Sequence, residues 1–195
     1  ILGDERNYAG WSFVNLEDFG KLKYGSDIMN ITFDPTIPKE FASYGFDDSG
    51  LKATKEFIIK DGVLLRGLGG LESQERSNIK GVANFRACSW NRAPIDRMAN
   101  LNLEPGDSSY KDIISSVERG IYMQTNRSWS IDDFRNKFQF GCEYAQLIEN
   151  GEITKTVRNP NYRAVSTPFW NSLKMVGNQS TFDVYGTPYC GKGEP

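Results

Sequence analysis

The chain carries three cysteines, Cys88, Cys142 and Cys190, and no histidine at all. Without histidine, its 195 residues cannot by themselves build a histidine-dependent nucleophile triad or a common His-rich zinc site. Thiolate and carboxylate are the donors that remain. Cys190 stands in Thr187-Pro188-Tyr189-Cys190-Gly191-Lys192. A flanking glycine lets a tight loop bring a soft thiolate close to a metal, although these residues taken alone favour a plain loop cysteine. Cys88 and Cys142 lie in strand-like stretches, Phe85 to Trp90 and Phe138 to Tyr144, where a small buried apolar side chain is expected. An odd, sparse set of cysteines predicts a reducing compartment rather than a disulfide scaffold.

Carboxylates occur in three adjacent pairs, Glu17-Asp18, Asp47-Asp48 and Asp132-Asp133. Neighbours along a strand point to opposite faces, so none of these pairs is preset to share a proton, and turn chemistry is the expected role. Asp47-Asp48-Ser49-Gly50 predicts an Asx turn leading into a strand. Gly67-Leu68-Gly69-Gly70 lacks the lysine and the strand-to-helix setting of a phosphate loop. Arg92, Arg97 and Asn100 suit either of two tasks, orienting a peptide carbonyl or carboxylate, or bracing the loop that holds them. The formal charge is -2 with both signs interleaved, which argues against direct nucleic-acid binding. No apolar run reaches the roughly 20 residues of a membrane span and no charged-then-apolar leader is present, so a cytoplasmic protein is expected. In that setting the sequons at Asn30, Asn126 and Asn178 read as chance.

The elements that must position these groups are mostly β. Asp61-Gly62 between Glu56-Phe57-Ile58-Ile59-Lys60 and Val63-Leu64-Leu65 predicts a type I′ hairpin, and Asn150-Gly151 between Tyr144 to Glu149 and Glu152-Ile153-Thr154 predicts another. Their likeness admits an internal repeat. Ser109 with Asp112 predicts a capping box opening a helix from about Ser109 to Arg119, closed by Gly120, with Ile113, Ile114 and Val117 on its buried stripe. A shorter helix is predicted from Thr167 as N-cap and Pro168 to Gly177 as C-cap. Leu68 to Asn91 has no clean period and reads as a long, mobile loop. The expected fold class is α+β, mainly antiparallel and hairpin-rich, with a few packed helices and room for barrel-like closure.

Six short stretches in order resemble the C-terminal domain of the TldD/PmbA family, zinc metallopeptidases also called modulators of DNA gyrase. They are Tyr44-Gly45-Phe46-Asp47-Asp48-Ser49-Gly50 with the Asp61-Gly62 hairpin, Arg97-Met98-Ala99-Asn100, Glu104-Pro105-Gly106-Asp107, Ile148-Glu149-Asn150-Gly151, Val176-Gly177-Asn178 and Cys190-Gly191-Lys192. The resemblance implies a zinc held by two histidines of a His-Glu-x-x-x-His helix and one later cysteine, with that helix just upstream of Ile1-Leu2-Gly3-Asp4-Glu5-Arg6. It makes Cys190 the thiolate ligand and favours the TldD-like catalytic branch. It further implies that residues 1–195 are one C-terminal domain lacking that helix and a final strand, and that the chain alone is inactive. Peptide or unfolded-protein substrates and a homo- or heterodimeric partner of the same family are implied as well. A non-catalytic partner subunit and a stand-alone β-rich binding module are the alternatives.

Overall fold

The computed structural model describes residues 11–186. In chain order the strands are β1 (Ile31–Phe33), β2 (Glu56–Lys60), β3 (Val63–Leu64), β4 (Phe85–Arg86), β5 (Ile95–Asp96), β6 (Leu101–Leu103), β7 (Arg119–Ile131), β8 (Lys137–Glu149), β9 (Glu152–Thr156) and β10 (Asn161–Val165). Three short helices join them, α1 (Leu71–Ser77), α2 (Tyr110–Ser115) and α3 (Ser166–Asn171). One sheet runs β3-β2-β1-β6, a second runs β10-β8-β7 with β9 on the far half of β8, and β4 pairs with β5. Every pairing between these strands is antiparallel, which is the α+β fold expected. Neither sheet closes into a barrel among the described residues. None of the described helices is long and apolar enough to cross a membrane.

Local chemistry sets both predicted hairpins. Asp61 and Gly62 take φ of 48° and 74°, and Asn150 and Gly151 take 52° and 80°, the paired positive angles of type I′ turns. The likeness stops at the turns, because the two hairpins enter sheets of different strand order. Gly62 is also needed for space: a Cβ there would lie 2.2 Å from Gly25 O and 2.5 Å from Ser26 O, both backbone. Gly62→Ala is therefore expected to cost at least about 2 kcal/mol, read as a lower urea midpoint with unchanged slope.

The first sheet places Phe33, Ile58, Ile59 and Leu64 against Val14, Met29 and Val82 to make the core. Side chains of this kind contribute about 1.5–3 kcal/mol each on full burial. In the second sheet Phe138, Phe140 and Tyr162 lie beside Phe169 of α3, with ring centroids 5.2–6.0 Å apart.

Four expectations need correction. The stretch 68–91 is ordered structure rather than a loop: it holds α1 and β4, and Val82, Ala83 and Asn84 are buried. Two carboxylates fasten it, since Asp47 Oδ2 accepts Phe85 N at 3.2 Å and Asp96 Oδ1 accepts Gly70 N at 2.6 Å. The capping box at Ser109 and Asp112 is present, but α2 ends at Ser115. Arg119 and Gly120 already pair with Glu149 and Ile148 as strand, so Gly120 is no helix cap. Helix α3 begins at Ser166 and ends at Asn171, well before Gly177, which instead bridges to Ser108. Cys88 is exposed and outside any strand, whereas Cys142 is buried in β8 as expected.

Candidate functional site

Strand β6 is the open edge of the first sheet. Asp34 N donates to Asn100 O at 3.1 Å and Glu104 N to Asn30 O at 2.9 Å, and Thr32 stands opposite Asn102. Hydrogen-bonded rungs to β1 thus fall at Asn100, Asn102 and Glu104, and antiparallel alternation turns the N–H and C=O of Leu101 and Leu103 outward. Among the described residues no strand pairs with that edge.

A cleft of about 1250 Å³ runs along it, walled by residues 40–42, by 86–88 with 97–100, and by 176–177 with 181–186. Asn100 is buried and holds the first wall: its Oδ1 accepts Ala42 N at 2.9 Å, and its Nδ2 donates to Ser43 Oγ at 3.0 Å and Asp34 O at 3.3 Å. Of its two candidate tasks, Asn100 performs the bracing one. The last wall is fixed by Gly106 N donating to Gly177 O at 2.9 Å and Asn178 N to Ser108 O at 2.7 Å. In the second wall Arg86 donates to Met98 O and its guanidinium lies 5.7 Å from the centre of the Tyr44 ring. Tyr44 donates to Ala83 O at 2.8 Å, and burial pushes its hydroxyl up to about 12, so it stays a donor throughout the neutral range.

Arg97 and Cys88 line the cleft, while Arg92 is exposed and outside it. One member of each carboxylate pair serves a turn or cap, while Asp48 Oδ2 accepts the distant Ala87 N at 2.6 Å. Asp47 Oδ1 accepts Ser49 N at 2.9 Å and Leu51 N at 3.0 Å, Asp132 Oδ1 accepts Asn136 N and Lys137 N at 2.8 Å, and Asp18 accepts Asn15 N at 2.7 Å. Sequence reasoning passed over β6 itself, Asn102 and Glu40. The only local signal was the Leu101-Asn102-Leu103 alternation stopped by Pro105. Asn102 Nδ2 and Glu40 Oε1 are both shielded from solvent, and the amide is the carboxylate's neighbouring hydrogen-bond donor. Burial raises the Glu40 carboxyl above its ordinary value; the nearby Asn102 amide opposes that rise and Asp34 adds to it.

Cys190 and the segment Ile1 to Arg6 lie outside the described residues. Among those residues no three His, Cys, Asp or Glu side chains converge, so they do not form a zinc site by themselves.

The family model of the PmbA/TldA metallopeptidase C-terminal domain matches residues 2–191. Over 170 residues the chain is 34% identical to a metalloprotease of Methanocaldococcus jannaschii, an alignment covering 87% of this chain and 37% of that protein. It is 24% identical over 156 residues to a zinc metalloprotease TldD homolog of Saccharolobus solfataricus, covering 79% and 35%. Its fold is similar to the crystal structure of a candidate modulator of a DNA gyrase from Thermotoga maritima, with a TM-score of 0.71 and 24% identity over 82% of this chain and 36% of that one. The chain spans a little over a third of the length of the curated relatives it matches. With the order of its motifs, its antiparallel fold and these matches in agreement, the chain belongs to the PmbA/TldD metallopeptidase family as its C-terminal domain.

Proposed function

We infer that this domain is the substrate-holding part of a zinc-dependent peptidase, and that a peptide lies extended along β6 inside the cleft. The observation that carries this reading is the edge left unpaired among the described residues, which offers the N–H and C=O of Leu101 and Leu103 to a guest strand. Main-chain pairing of that kind reads little sequence, as suits a peptidase acting on unfolded segments. Cys190 follows Gly186, the last described residue of the cleft wall, by four positions. It is our choice for a zinc ligand, with the remaining donors and the general base coming from outside these residues. A thiolate is a strong zinc donor, and one alone leaves the metal mostly to solvent.

Proline at position 103 removes one outward N–H and leaves the rungs at Asn102 and Glu104 intact, a substitution that edge strands accept. In Leu103→Pro, affinity for an alanine-rich fluorescent peptide, measured by anisotropy on chelator-treated full-length protein, is expected to fall about tenfold; because Leu103 also packs against the core, Tm falls too, and Leu103→Ala, which loses the same packing but keeps the N–H, should lower Tm without the tenfold loss of affinity. Unchanged affinity would remove β6 as the docking strand.

A further inference from the structure

Phe41 is 67% exposed and lines the cleft, and Met98, Leu101 and Val184 of the same cleft are exposed as well. Apolar side chains scattered singly over a surface mean little, but several that share one cleft form a patch of the kind that takes an apolar guest. Their place relative to β6 follows from strand alternation. Leu103 packs against the core, so Leu101 and Leu103 turn to the core side of the sheet while Asn100 and Asn102 turn to the other. Residues 40–42 lie on that other side, since Asn100 Oδ1 accepts Ala42 N at 2.9 Å and the Asn102 amide neighbours the Glu40 carboxylate. A strand paired to the open edge of β6 alternates in the same way, so every second side chain of a docked peptide comes to the wall that carries Phe41.

The facing wall closes on the same ring. A Cβ at Gly186 would lie 3.0 Å from Cδ2 and Cε2 of Phe41, so the two walls meet there across a bare glycine, and Val184 adds an exposed apolar side chain two residues earlier. We propose that Phe41 is a specificity-determining residue whose ring, with Val184 opposite, selects peptides presenting a large apolar side chain beside β6. The proposal rests on β6 being the docking strand and names the class of peptide that strand holds. Asn100 pins the backbone next to Phe41 through Ala42 N, so the ring's attachment is fixed before any peptide arrives. A large apolar side chain set against the ring takes apolar surface of both partners out of water, and alanine in the same place leaves most of it wet.

The test uses chelator-treated full-length protein and three uncharged hexapeptides with the same fluorescent label, alanine-rich throughout and differing at one central residue: alanine, phenylalanine, or glutamine as a large polar control. The phenylalanine peptide is expected to bind about tenfold tighter than the other two. Phe41→Ala should bring the three to within about twofold of one another, and Phe41→Leu, which keeps an apolar side chain, should retain most of the preference. Both variants should melt as the wild type does, because the ring is exposed and stands outside the core cluster. Equal wild-type affinity for the phenylalanine and alanine peptides, glutamine binding as tightly as phenylalanine, or a preference that survives Phe41→Ala would overturn the role of Phe41, while binding of the alanine peptide left the docking strand standing. Failure of all three peptides to bind would overturn both.

Discussion

Replacing Cys190 by Ser in the full-length protein is expected to lower zinc content at least about tenfold and to take peptide cleavage to background, with this domain still folded. Near neutral pH an alcohol keeps its proton where a thiol beside a metal gives it up, so serine is a poor zinc donor at almost the same volume. Metal content, cleavage and thermal melting belong on one preparation, because zinc that holds the protein together would drag all three down at once. The 195-residue chain, with one such thiolate and no histidine, should bind zinc weakly and cleave nothing. Full zinc occupancy and normal cleavage in Cys190→Ser would show that the ligand lies elsewhere.

Asp47→Ala is expected to be the most destabilising single change outside the apolar core, at about 3–5 kcal/mol. Asp47 is 5% exposed, and its two oxygens accept the backbone N–H groups of Ser49, Leu51 and Phe85 together with the Ser49 hydroxyl. Alanine leaves those part-buried donors without their acceptor and frees β4 from the turn that anchors it. Since the cleft wall at residues 86–88 follows directly from β4, the same variant should also weaken peptide binding. Chemical denaturation followed by tryptophan fluorescence reads the stability change. A loss below about 1 kcal/mol would mean that water replaces the carboxylate without difficulty.

Features set within a few residues were legible in the sequence. Asp61-Gly62 and Asn150-Gly151 fix their own dihedrals, Ser109 and Asp112 bond each other's backbone, and Asp47 closes its turn on Ser49 and Leu51. What was misread depends on partners far along the chain. Residues 68–91 look formless because the contacts that order them come from Asp47 and Asp96, and α2 stops early because Arg119 and Gly120 are claimed by β8. The importance of β6 was hidden for a related reason. Three residues, Leu101-Asn102-Leu103, carry no mark of being an edge, which is a property of strand order and not of any side chain.

Amide hydrogen exchange on the chelator-treated full-length protein, with and without a saturating extended peptide, measures the docking strand directly. In the free protein the N–H of Leu101 and Leu103 should exchange fast and that of Asn102, bonded to β1, slowly, because only the first two face the open edge. Peptide should protect Leu101 and Leu103 and leave Asn102 as it was. Saturating peptide with no added protection at Leu101 and Leu103 would contradict the assignment of β6 as the strand that holds the substrate.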